Sequence, residues 1–95
     1  MLRKQEVAFL KAIAAAQGWK VFVAPSAKAG DVDVAFVDGE GQSFFVQAAD
    51  FKALVAAFER QVDKIDGMLR RDAHEGGKEW LRKLRGLLAL LKARR

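Results

Sequence analysis

Apolar and polar positions change period several times along the chain, and each change marks an element. From Leu2 to Gln17, Leu2, Phe9, Leu10, Ile13 and Ala16 recur at helical spacing while Arg3, Lys4 and Lys11 fall mostly elsewhere. The run Ala14-Ala15-Ala16 favours helix, and Gly18 stands where a left-handed C-terminal cap is wanted. Trp19 to Ala24 is aromatic and β-branched and predicts a strand ended by Pro25, with Ser26 to Gly30 as a loop. Asp31 to Asp38 alternates, with Asp31, Asp33, Ala35 and Val37 on one face and Val32, Val34 and Phe36 on the other. Asp38-Gly39-Glu40-Gly41 carries hairpin-turn chemistry. Ser43 to Ala48 makes the next strand, and the unbroken Phe44-Phe45-Val46 predicts cover on both faces.

Asp50 then sits at an N-cap position, followed by Phe51, Leu54, Val55, Phe58, Val62, Ile65 and Leu69 at the spacing of a long amphipathic helix. Gly67 and His74-Glu75-Gly76-Gly77 frame its end and a turn. Lys78 to Arg95 predicts a last helix with Trp80, Leu81, Leu84, Leu87, Leu88 and Leu91 on a broad apolar face. The order α-β-β-β-α-α, with short links, predicts an α+β fold: a three-stranded antiparallel meander packed against helices. The reading is one domain over 1–95, with a core over 2–76 and a basic amphipathic helix over 77–95.

Composition narrows the chemistry. Leu, Ile, Val and Phe fill 28 of 95 positions, enough for a packed core. The absence of cysteine excludes disulfides, thiolate catalysis and zinc sites built on Cys. The apolar runs are too short to cross a bilayer, and Met1-Leu2-Arg3-Lys4 opens no signal peptide, so a cytoplasmic protein without a membrane span is expected. The net charge of +5 is segregated: residues 1–30 carry +4, residues 31–66 carry −5 and residues 67–95 carry +6. A basic chain admits nucleic acid as a partner.

The hairpin residues carry a resemblance. Gly30-Asp31-Val32-Asp33-Val34-Ala35-Phe36-Val37, the glycine turn and Phe44-Phe45-Val46-Gln47-Ala48-Ala49 resemble the metal-binding hairpin of the PD-(D/E)XK nucleases, the restriction-endonuclease and Holliday-junction-resolvase fold. The resemblance spans roughly residues 2–66. It implies a first acid at Asp33, or Asp31, with Gln47 where the family has Glu and Ala49 where it has Lys. Gln offers one neutral oxygen in place of a carboxylate, and Ala removes the cation beside the attacking hydroxide. An inactive, shortened member of that fold is therefore implied, without the family's catalysis. The order also resembles the double-stranded-RNA-binding domain, but Ala49-Asp50-Phe51-Lys52 replaces the lysine cluster that opens that family's second helix.

Candidate sites follow from residue type and spacing. Asp31, Asp33, Asp38 and Glu40 form the densest acid cluster. Asp31 and Asp33 are its candidate metal ligands, although solvated charge at a loop and hairpin tip accounts for the group. His74, the one histidine, reads as a loop residue, and Trp19 and Trp80 read as core or interface anchors. No aromatic series interleaved with cations is apparent on the strands. On the last helix, about 25 Å long, Lys78, Arg82, Arg85 and Lys92 form a narrow stripe. Such a stripe suits phosphate contacts, with Arg70, Arg71, Arg3 and Lys4 as further candidates. Opposite it, Trp80, Leu81, Leu84, Leu88 and Leu91 fit a heptad seam and hence a homodimer interface. The expected function is a non-enzymatic nucleic-acid-binding module without cofactor. The alternative is a small protein-binding inhibitor or adaptor of the mobile-element type, using the apolar helix face or acidic hairpin. A third reading is a metal-dependent nuclease using Asp33.

Overall fold

Local chemistry sets where each element starts and stops. The computed structural model describes residues 2–72 and 74–94, and the expected helix end at Arg95 lies outside them. In chain order the elements are α1 (Lys4–Ala16), β1 (Lys20–Pro25), β2 (Val32–Val37), β3 (Ser43–Ala48), α2 (Phe51–Arg71) and α3 (Glu75–Lys92). The Arg3 backbone N–H opens α1 by donating to the Glu6 carboxylate at 2.8 Å. Its end is a Schellman motif: Gly18 takes φ 79° and donates to the Ala15 carbonyl, and Trp19 N–H donates to Ala14. Asp50 caps α2 by accepting the Ala53 N–H at 2.8 Å. α3 begins at Glu75, three residues before its expected start, because the His74 imidazole Nδ1 accepts the Gly77 N–H at 3.0 Å. The turn expected over 74–77 is thus the helix's first turn, and His74 is its cap rather than an idle loop residue.

The strands form an antiparallel meander in the order β1-β2-β3. The register aligns Lys20, Val37 and Ser43 in one row, Phe22, Ala35 and Phe45 in the next, and Ala24, Asp33 and Gln47 in a third. Pro25 closes β1 inside the strand rather than just beyond it. The Ser26 N–H donates to the Asp31 carbonyl, so the Pro25 nitrogen, one residue along the ladder, faces away from β2, where a missing donor costs nothing. At the β2–β3 turn, Asp38 Oδ1 accepts the N–H groups of Glu40 and Gln42, both at 2.9 Å. Asp38 is buried, with Oδ2 3.5 Å from Lys83 Nζ, so it is a structural turn residue and not the solvated charge expected at that tip.

One face of the sheet carries Val21, Val34, Phe36, Phe44, Val46 and Ala48 into the core against the helices. Phe58 of α2 meets Phe36 and Phe44 there, with ring centroids 5.3 and 4.7 Å apart. The other face is open. Phe45 is 64% exposed and Phe22 57%, so β3 is covered on one side only, against the reading of its apolar run. An exposed aromatic pair on the strands is likewise a feature that the chain's pattern does not announce.

α3 belongs to this core. Leu81, Leu84, Leu87, Leu88 and Leu91 are buried in one cluster with Leu10, Leu54 and Phe58. Trp80 is half-buried and stacks on Trp19 at 5.3 Å. The expected dimer seam of Trp80, Leu81, Leu84, Leu88 and Leu91 is therefore corrected: α1 and α2 cover that face within the same chain. Each such leucine contributes roughly 1.5–3 kcal/mol by leaving water, and together they leave little apolar surface on α3 for a second copy.

Candidate nucleic-acid interface

Where the last turns of α2 run beside the first turns of α3, the two helices leave a cleft of about 450 Å³. Leu69 and Leu81 contribute its apolar wall, and Arg70, Lys78, Arg82 and Arg85 supply four cations. Among the described residues, Asp66 is the one acid in its lining. The helical repeat explains the convergence. Asp66 and Arg70 are one turn apart on α2, and Lys78, Arg82 and Arg85 share one side of α3.

Asp66 organises the cleft. Its Oδ2 accepts from Arg70 Nε at 3.3 Å and Nη2 at 3.2 Å, and lies 3.3 Å from Arg85 Nη2. One carboxylate thus holds guanidinium groups from two helices. Arg82 donates through Nε and Nη2 to the two oxygens of Glu79. That hydrogen bond lowers the Glu79 carboxyl below its ordinary range against the opposing effect of burial, with the positive charges of Arg82 and Lys83 adding to it. The same hydrogen bond, then the carboxylate's charge, raises the Arg82 guanidinium above its own. Lys78 Nζ lies 3.7 Å from Glu75. The Lys78–Glu75 and Arg82–Glu79 pairs are solvent-exposed on both sides, so a phosphate can displace those two carboxylates readily, whereas Asp66 is largely covered and stays between its arginines.

The structure therefore assembles Arg70, Lys78, Arg82 and Arg85 but not the whole expected set. Lys92 is separated from the cleft. It lies seven residues beyond Arg85, roughly 10 Å along the helix, and its Nζ is 2.6 Å from Glu59 of α2. Arg71 is exposed at the end of α2, and Arg3 and Lys4 are exposed at the start of α1. None of these three lines the cleft. Asp66 is the residue that sequence reading passes over. Its signal is the i, i+4 spacing to Arg70, a pattern common on solvated helices.

The nuclease-like hairpin has its own geometry. Asp33 and Gln47 are direct cross-strand partners. Gln47 Nε2 donates to Asp31 Oδ2 at 3.2 Å, and Lys28 Nζ is 3.8 Å from the same oxygen. An amide donor and an ammonium thus occupy the side of Asp31 that a cation would need. Among the described residues no three His, Cys, Asp or Glu side chains come together as a metal site. Among the described residues, no helix is long and apolar enough to cross a membrane.

A second hollow, about 440 Å³, lies between the starts of α1 and α2 beside Phe51 and Val55. Arg94 lies across it, 5.1 Å from the Phe51 ring centroid, 5.6 Å from that of Phe9, and 3.8 Å from Glu6. Arg94 thus forms part of the wall of this hollow, its guanidinium beside two aromatic rings and a carboxylate. Comparison with protein-family models, with curated proteins and with solved structures yields no match for the chain.

Proposed function

We propose that this protein is a non-enzymatic module that binds the phosphate backbone of nucleic acid in the cleft between α2 and α3. The observation that carries the reading is the convergence of Arg70, Lys78, Arg82 and Arg85 on one cleft with Asp66 as the one acid lining it among the described residues. Asp66 holds Arg70 and Arg85 in place before a ligand arrives, which reduces the side-chain ordering that binding would otherwise require. Guanidinium groups suit phosphate because their planar donors pair with two oxygens at once. Contacts of this kind are to the backbone and carry no base preference.

Binding of short duplexes, followed by fluorescence anisotropy across a salt series, tests the proposal. Four neutralised phosphates give a slope of log affinity on log salt near about −3.6. The Arg82→Glu, Arg85→Glu double variant removes two cations, adds two anions and should lose binding at every salt concentration. Absence of binding by the wild-type chain at low salt overturns the reading, as does binding unchanged in the double variant. Replacing Lys92 with Gln should lower affinity much less than replacing Arg82 with Gln, since Lys92 stands outside the cleft.

A further inference from the structure

We infer that the open face of the sheet is a self-association surface on which a second copy of this chain stacks, its strands antiparallel to the first. The inference is independent of the cleft, which lies between two helices rather than on the sheet. Among the described residues, the exposed large apolar side chains are Phe22, Phe45 and Met68, and two of the three share this face. They stand on the outer strands in one row, with Ala35 between them. α1, α2 and α3 pack on the opposite face, so nothing described in the chain covers these rings.

Charge selects the occupant. The row at one end of the face holds Lys20, and the row at the other end holds Asp33. Both are exposed, and neither is in an ion pair among the described residues. Beyond the Asp33 row, Asp31 accepts from Gln47 Nε2 at 3.2 Å and is paired with Lys28 at 3.8 Å, so with that pair counted the charges on the face balance, which suits a protein surface better than a polyanion. The face is also complementary to itself in one arrangement. A two-fold axis lying between the sheets and perpendicular to the strands sets each end row over the partner's opposite end row. Lys20 of each copy then meets Asp33 of the other, twice, while the phenylalanine rows stack centrally. A two-fold axis parallel to the strands would set each end row over its own kind and leave both charges unpaired.

Size defines what kind of dimer this is. Six residues at about 3.3 Å and strands about 4.8 Å apart give a face of roughly 20 by 14 Å. That is roughly 300 Å² of footprint per copy, below the about 800 Å² per partner of a stable complex. The dimer is accordingly weak and reversible.

Sedimentation equilibrium of the full chain over a concentration series tests it. Expected is a monomer–dimer equilibrium that the Phe22→Ser, Phe45→Ser variant abolishes, with circular dichroism unchanged because both rings are exposed. Lys20→Glu and Asp33→Lys should each weaken association about tenfold by setting like charges together. An equimolar mixture of those two variants should restore it, since each copy then supplies the charge the other lacks. A chain that stays monomeric throughout overturns the inference, as does association that neither substitution changes. Loss of oligonucleotide binding in the Phe22→Ser, Phe45→Ser variant, without loss of self-association, overturns it in favour of base stacking.

Discussion

His74 closes the first turn of α3 as an acceptor: its Nδ1 takes the Gly77 N–H, one of the donors that a helix start leaves without a partner. Replacing it with Ala should cost about 1 kcal/mol, as other cap deletions do. In a domain of this length that is a drop of about 4–8 °C in Tm. His74→Asp should keep the cap and add a favourable charge at the helix N-terminus. A melting temperature unchanged in His74→Ala would contradict the role. Asp38 performs a similar task at the hairpin. Burial pushes its carboxyl up, but the N–H groups of Gln42 and Glu40 and the charge of Lys83 outweigh this and hold it below the ordinary carboxylate range. Because the folded value lies below the unfolded one, the stability it supplies is complete above the ordinary carboxylate range. It is lost as pH falls through that range and through the folded value. Asp38→Asn should therefore be destabilised at neutral pH, and the gap to the wild type should narrow as pH falls below about 4. Urea unfolding of both proteins at several pH values measures that gap.

Three of the four glycines inside the described helices separate propensity from packing. A methyl group at Gly67 or Gly86 meets nothing within 4 Å, whereas at Gly77 it would lie 2.5 Å from Leu69 Cδ2 and 2.9 Å from His74 Cε1. Gly67→Ala and Gly86→Ala should each stabilise the fold by about 0.5–1 kcal/mol. Gly77→Ala should bring no such gain, because it displaces Leu69 and disturbs the cap; thermal melts of the three variants distinguish these outcomes. The same contrast explains what the sequence could and could not disclose. Element order, the β2 alternation, the Asp50 cap and the Gly18 cap were legible because each depends on neighbours close along the chain. The exposure of Phe45 was not, since Phe44-Phe45-Val46 reads alike whether one side of a strand is covered or two. The cation stripe of α3 was legible as an angle about the helix axis. Its division, Lys92 to Glu59 and Arg85 to Asp66, depends on where α2 lies, which no local pattern encodes. Asp66 was missed for that reason: its second partner is on another helix.

The radius of gyration, 13.2 Å, is close to the about 12.4 Å expected of a single folded unit of this length. The final helix contributes to that unit more than its basic face suggests. Its leucines fill the space over α1 and α2, and Trp80 lies against Trp19, which joins α1 to the sheet. A core over 2–76 bearing an independent helix over 77–95 would unfold in two steps, with the tryptophan signal changing as α3 detaches. The shared cluster requires one step. Tryptophan fluorescence and far-ultraviolet circular dichroism should therefore report the same urea midpoint. Leu84→Ala, at a fully buried position, should lower that midpoint in both signals together by the equivalent of about 2–5 kcal/mol. A fluorescence transition that precedes the loss of helix and sheet would show that α3 is an appendage. The basic cleft would then lose one of its two walls before the rest of the protein unfolds. Coincident transitions would mean that the cleft lasts as long as the fold, because the residues that carry its cations are anchored by leucines on the other side of the same helix.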